Sequence, residues 1–161
     1  MRKKDDSKTV TADGRVVSKD SNLAWYVGTI DEVNAFIGLA KVFSRSGDVK
    51  ELLEEIQRRM FVVGAEYAKK GLDKEDYEWL LKKVEEFEKT VEMPKSFVIL
   101  EKDECTAFLS VARTVVRRAE RIAVRLYREG LIGINTVEWL NKLNYLLYLM
   151  ILREGGEFEK I

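Results

Sequence analysis

Residues 103–130 read DECTAFLSVARTVVRRAERIAVRLYREG, and this stretch decides the fold. It reads as one long helix from about Asp103 to Glu129, closed by Gly130. Along it Arg113, Arg117, Arg121 and Arg125 recur every fourth residue, so they share one face, with Arg118 beside them. Toward the C-terminus a further helix is expected from about Asn135 to Glu154, ending at Gly155-Gly156. It is apolar almost all round (Trp139, Leu140, Leu143, Leu146, Leu147, Leu149, Met150, Ile151), the character of a central or interface helix. Toward the N-terminus three more helices are expected. The first, Ser21 to about Ser44, carries the stripe Ile30, Val33, Phe36/Ile37, Ala40. The second, about Val49 to Lys70, places Leu52, Ile56, Met60, Val63 and Tyr67 on one face. The third starts near Asp73 and carries Tyr77, Leu80, Leu81, Val84 and Phe87. Ser46-Gly47 is read as the end of the first helix, Asp48 as the cap of the second, Gly71 as its C-terminal stop, and Met93-Pro94-Lys95 as the break after the third. Phe97 to Leu100 is a brief apolar segment. The expected architecture is all-α: a five-helix bundle over residues 21–161 in a single domain, preceded by residues 1–20 as a loop or arm without periodicity.

Composition narrows the function. At 161 residues the chain suits one domain with one core, and its single Pro and ten Gly favour long helices over a turn-rich β fold. Lys+Arg and Asp+Glu balance at 28 each, which argues against nucleic acid or an anionic membrane as partner. The longest apolar run, Tyr145 to Leu152, is far short of the roughly 20 residues a membrane span needs. No secretory h-region follows Met1, and Cys105 is the only cysteine, so a reducing cytoplasm is the expected setting. Histidine is absent altogether. That excludes an imidazole base, a His metal ligand, and any Ser-His or Cys-His pair. It also removes the Glu-x-x-His motif of di-iron bundles.

The arginine face carries the strongest chemical signal. Arg113 has no carboxylate three or four residues away on its own helix, and Arg117 has only Glu120. Like charges at this spacing repel, so an anion is expected to compensate them, and guanidinium forks match phosphate oxygens. A solvated face or an interhelical ion-pair network explains the same spacing and stays open here. Asp31 falls within the first helix's apolar stripe, with Arg113 as its expected partner in a buried pair. Asn141, followed by Asn144, Tyr145 and Tyr148, is expected as a buried amide that holds either a ligand or a neighbouring helix. No nucleophile motif surrounds Cys105.

Several stretches together resemble the PduO-type ATP:cob(I)alamin adenosyltransferases. Residues 28–35, GTIDEVNA, are similar to that family's G-T-V-D-E-L-N-A, and Glu54-Glu55-Ile56-Gln57 with Gly64-Ala65-Glu66 resemble E-E-I-Q and G-A-E. Residues 112–121, ARTVVRRAER, resemble A-R-T-V-x-R-R-A-E-R, and Leu140-Asn141-Lys142-Leu143 resembles L-N-R-L. The resemblance implies a cobalamin adenosyltransferase-like five-helix bundle that assembles as a homotrimer, with ATP between neighbouring subunits. It makes residues 1–20 a nucleotide loop. Arg117, Arg118, Glu120 and Arg121 would then lie at the nucleotide, with Asn141 beside it, and Lys19 matches the lysine of R-V-x-K-D-D. Asp31 and Arg113 match a functional pair, and Phe97 a phenylalanine next to the corrin ring. Three segments depart from the family. Its L-N-R-L-S-D end has Asn144 and Tyr145 here in place of Ser and Asp. Its phosphate loop, T-K-x-G-D-x-G-x-T, keeps here only Asp5 and Thr9, with Lys4 and Ser7 in place of the glycines. Its F-I-L-P-G-G turn becomes residues 97–102, FVILEK.

The implied reaction is attack of cob(I)alamin cobalt on the 5′ carbon of ATP with loss of triphosphate, the charge met by the arginines and Mg²⁺. It needs no protein base, which suits a chain without histidine. The altered phosphate loop keeps a second reading open: a non-catalytic paralogue that binds nucleotide or corrinoid, or a trimeric interaction module.

Overall fold

A computed structural model describes residues 5–161, so Lys4 lies outside the described residues. Five helices form the chain's body: α1 (Asn22–Phe43), α2 (Gly47–Ala65), α3 (Lys74–Glu88), α4 (Glu104–Arg128) and α5 (Ile134–Gly155). Strands β1 (Lys8–Val10) and β2 (Val16–Ser18) precede them as an antiparallel ribbon, with Thr9 opposite Val17. Gly14, at φ +83°, makes the turn between the strands. Nothing in the periodicity of residues 1–20 pointed to this ribbon. It leans on the bundle where the Ala12 N–H donates to the Tyr67 hydroxyl at 3.0 Å.

The helix starts follow local chemistry. The Ser21 hydroxyl accepts from Ala24 N–H at the head of α1, and Asp73 and Asp103 each close a capping box at the heads of α3 and α4. The first two helix boundaries differ from expectation. Gly47 and Asp48 lie inside the first turn of α2 rather than before it, and Asp48 accepts the Val49 N–H at 2.9 Å. Helix α2 ends at Ala65, short of Gly71, whose φ is negative. Gly71 serves close approach instead: a Cβ there would sit 2.4 Å from the Glu66 side chain. That carboxylate accepts from Gly133 N–H at 3.0 Å and from the Thr136 hydroxyl, so α2 supplies the anion that caps α5.

Helix α4 packs between α1 and α5, with α2 against α1 and α3 against α5. Its buried residues Cys105, Leu109, Ala112, Val116, Ala119, Ala123 and Leu126 alternate steps of four and three, a seam of coiled-coil type. The alanines let α1 and α5 come close. Helix α5 is central, with Trp139, Leu140, Leu143, Leu147 and Met150 fully buried within the chain. Helix α1 leaves apolar surface uncovered, with Trp25, Leu39 and Val42 58%, 40% and 68% exposed, and Phe61 on α2 stands out as well. No helix among the described residues is long and apolar enough to cross a membrane.

Candidate functional site

Three cross-contacts fix how α1 lies along α4. Asn22 Nδ2 donates to Glu129 Oε1 at 2.6 Å, Glu32 pairs with Arg118, and Phe43 stacks on Phe108 with centroids 5.6 Å apart. The helices are antiparallel in one constant register. Asp31 therefore lies level with Glu120, while Arg113 lies level with Ile37, about 10 Å along the bundle at 1.5 Å rise per residue. The expected buried Asp31–Arg113 pair is absent, because that register puts it out of reach. Asp31 is exposed, and its neighbour Glu32 takes the interhelical role by accepting twice from Arg118 Nη2, each at 2.6 Å.

This leaves the rest of the arginine face without acidic partners. Among the described residues, no carboxylate lies within ion-pair distance of Arg113, Arg117, Arg121 or Arg125. The ion-pair network weighed for the stripe thus accounts for Arg118 alone. Arg117, Arg121 and Arg125 are exposed, whereas Arg113 is half-buried and its Nε has no hydrogen-bond partner. Arg117, Glu120, Arg121 and Val124 line a shallow depression of about 190 Å³. Burial pushes the Glu120 carboxyl above its ordinary range, against the opposing pull of Arg117 and Arg121. The depression is cationic, with guanidinium forks facing outward, and suits a polyanion.

The remaining residues divide by position. Asn141 is exposed rather than buried, and the short turn between α4 and α5 brings it near the level of Arg121. The orphan amide oxygens are instead those of buried Asn34 on α1 and half-buried Asn144 on α5, each Oδ1 without a donor among the described residues. Asp5, Thr9 and Lys19 gather on the ribbon, where Lys19 N–H donates to Ser7 carbonyl at 2.9 Å. The Ser7 hydroxyl and amide both bond the Asp5 carboxylate and hold it below the usual carboxylate range. The ribbon enters α1 at the end of the bundle where α4 finishes. Phe97 is at the other end, 85% exposed, beside the tail that follows α5. The length of α4, about 37 Å, separates the two within one chain. Cys105 is buried, and burial pushes its thiol up to about 12, away from any thiolate role. Among the described residues, no three His, Cys, Asp or Glu side chains stand together as a metal cage.

Sequence reasoning missed Glu32 as the partner of Arg118 and Glu66 as the cap of α5. Both belong to stretches already singled out, residues 28–35 and 64–66, but their contacts span 86 and 67 residues of chain.

The sequence profile of the family described as "Cobalamin adenosyltransferase" matches residues 1–154. A corrinoid adenosyltransferase of Bacillus subtilis is 34% identical over 152 residues, which cover 87% of this chain and 77% of that protein. A corrinoid adenosyltransferase of Citrobacter freundii is 30% identical, covering 91% and 88%. Among solved structures, a variant PduO-type ATP:corrinoid adenosyltransferase from Lactobacillus reuteri, complexed with cobalamin and ATP, is similar with a TM-score of 0.83. It shares 25% sequence identity, with 91% of this chain and 85% of that one covered.

Proposed function

This chain belongs to the cobalamin adenosyltransferase family, and from that premise we propose that it moves the 5′-deoxyadenosyl group of ATP onto cob(I)alamin at a site built by two copies of the chain. In the reaction the cobalt electron pair forms the bond to C5′ as the C5′–O5′ bond breaks, and that bonding pair leaves with triphosphate. The nucleophile arrives already deprotonated and electron-rich, so the chain's lack of histidine is no handicap.

The residues supply position and charge. Arg117, Arg121 and the neighbouring Arg118 hold the triphosphate and meet the negative charge that grows on it as it departs. Glu120 orients the two flanking guanidinium groups, and Asn141 binds the nucleotide from α5. The ribbon of a second copy brings Asp5, Thr9 and Lys19 to the phosphates. Magnesium would come with the triphosphate oxygens, since among the described residues no carboxylate set of one chain forms a dedicated site. Phe97 borders the corrin ring.

Assembly as a homotrimer is supported by three features. Among the described residues the Nε of half-buried Arg113 has no partner, and Asp31 is exposed on the adjoining helix, so each can find the other across an interface. Apolar side chains stand uncovered along the same helix as Asp31. The ribbon and Phe97 lie at opposite ends of one chain. The single thiol, buried and unpaired, agrees with a cytoplasmic setting.

The observation that carries the reading is a guanidinium face on which Arg113, Arg117, Arg121 and Arg125 have no carboxylate within ion-pair distance among the described residues. Its test is direct. With ATP, Mg²⁺ and chemically reduced cobalamin, the protein forms adenosylcobalamin and releases triphosphate in equal amounts. Binding of ATP without any adenosylcobalamin would overturn it in favour of a non-catalytic binding protein, to which the loss of both phosphate-loop glycines already points.

A further inference from the structure

Phe97 carries an unusual combination of exposure and restraint. Its ring faces solvent, yet its carbonyl accepts from Ile161 N–H at 3.1 Å, and Ile99 N–H donates to Glu159 carbonyl at 3.2 Å. Val98 and Lys160 stand opposite each other in an antiparallel bridge. Residues 159–161 thus lie antiparallel to the segment that presents Phe97, joined to it by one isolated bridge and the flanking hydrogen bonds. So short a ribbon is not stable by itself, and something must hold the tail down.

Lys102 does so. Its ammonium donates to the carbonyl of Gly155 at 2.8 Å and to that of Glu157. These are the last carbonyl of α5 and one just beyond it, where the negative end of the helix dipole favours a cation. The same ammonium lies 5.3 Å from the centre of the Phe158 ring. Phe158 folds back so tightly on Gly155 that a Cβ there would come within 2.1 Å of its ring. On the other side of the turn, the Glu101 carboxylate accepts from the Ser110 hydroxyl of α4 at 2.5 Å. Glu101 and Lys102 stand where the family's F-I-L-P-G-G turn carries two glycines. A turn that glycines would leave loose is here pinned by two side chains, one to α4 and one to the end of α5.

We propose that Lys102, with Glu101 as a second anchor, is a positioning residue that clips the C-terminal tail onto residues 97–102 and so holds the Phe97 ring ready for the corrin. The proposal rests on Phe97 bordering the corrinoid. Its physical content is preorganisation: an aromatic ring on a fixed backbone has less freedom to lose when the ligand arrives. The clip also shapes a cavity of about 400 Å³, walled by Val98 on one side and by Phe158 and Lys160 of the tail on the other.

The test compares the full chain with Lys102→Ala, Lys102→Arg, deletion of residues 157–161, and Phe97→Ala. KM is measured separately for cob(I)alamin and ATP, and the Kd for cob(II)alamin is measured with ATP present. Lys102→Ala and the deletion should each raise the corrinoid KM and Kd about tenfold. The ATP KM should stay within twofold (roughly the scatter of such measurements), and Lys102→Arg should restore most of the loss, because a guanidinium reaches both carbonyls. An unchanged corrinoid KM and Kd overturns the clip, as does a parallel rise in both KM values with a fall in Tm. If Phe97→Ala weakens corrinoid binding while the other variants do not, Phe97 keeps its place and only the clip fails. If Phe97→Ala has no effect, the placement of Phe97 fails and the clip falls with it.

Discussion

Arg117 and Arg125 lie on one face of α4, two turns and about 12 Å apart, and both are exposed. Only Arg117 lines the depression with Glu120 and Arg121. Arg117→Ala should lower turnover about 100-fold or more, the scale for one preorganised charge contact in a transition state. Arg117→Lys should recover part of that, since a point charge lacks the planar fork. Arg125→Ala should leave turnover nearly intact, and equal losses at both positions would make the stripe a solvated face. In the Glu32–Arg118 pair one guanidinium nitrogen serves both carboxylate oxygens, and both side chains are more than two-fifths exposed. Arg118→Ala should therefore cost only about 0–1 kcal/mol in urea unfolding, and a larger loss would contradict a solvent-screened pair. The arginine face itself was legible in the sequence because helical period puts every fourth residue on one side. Which carboxylate meets it was not, because Asp31 and Glu32 are adjacent and only the packed register chooses between them.

At the scale of elements, the caps carry the consequences. Asp103→Ala removes the capping box of α4 and should cost about 1 kcal/mol, read from the urea midpoint. Glu66→Ala leaves Gly133 N–H and the Thr136 hydroxyl without their acceptor and should cost about 1–3 kcal/mol. If Glu66→Ala proves neutral, water caps α5 and the α2–α5 tie is incidental. At the head of α3, the Asp76 backbone N–H holds the Asp73 carboxyl below its ordinary range. A carboxyl depressed in the folded chain stabilises above its unfolded pKa, and that contribution disappears as pH falls through the lower, folded one. The start of α3 should therefore stay intact at neutral pH and loosen only below about pH 4, seen as faster amide exchange at Asp76. Exchange there that is already fast at pH 6 would mean that the cap does not form.

For the whole molecule, the apolar residues left uncovered on α1 matter most. The unaltered protein should sediment as a trimer at micromolar concentration, and Leu39→Glu and Val42→Glu should give a folded monomer without adenosyltransferase activity. An active monomer would confine the site to one chain. Asp31→Asn should likewise weaken the trimer and lower activity while leaving the fold of each chain intact, since Asp31 touches no buried partner of its own. The sequence by itself determined the five helices, because their signals are local: the polar caps Ser21, Asp73 and Asp103, the glycines at Gly130 and Gly156 with positive φ, and apolar residues at helical period. It determined the cationic face of α4 for the same reason. Only the tertiary structure decided that α5 is wrapped within the chain, for an almost wholly apolar helix suits a central place and an interface equally, and that α1 keeps apolar side chains open beside its buried stripe. Only packing along the alanine seam of α4 sets the register that gives Arg118 to Glu32 and denies Arg113 to Asp31. The ribbon, the Glu66 cap and the Lys102 clip join residues far apart in the chain, and no local pattern encodes a contact whose two halves are brought together by the burial of everything between them.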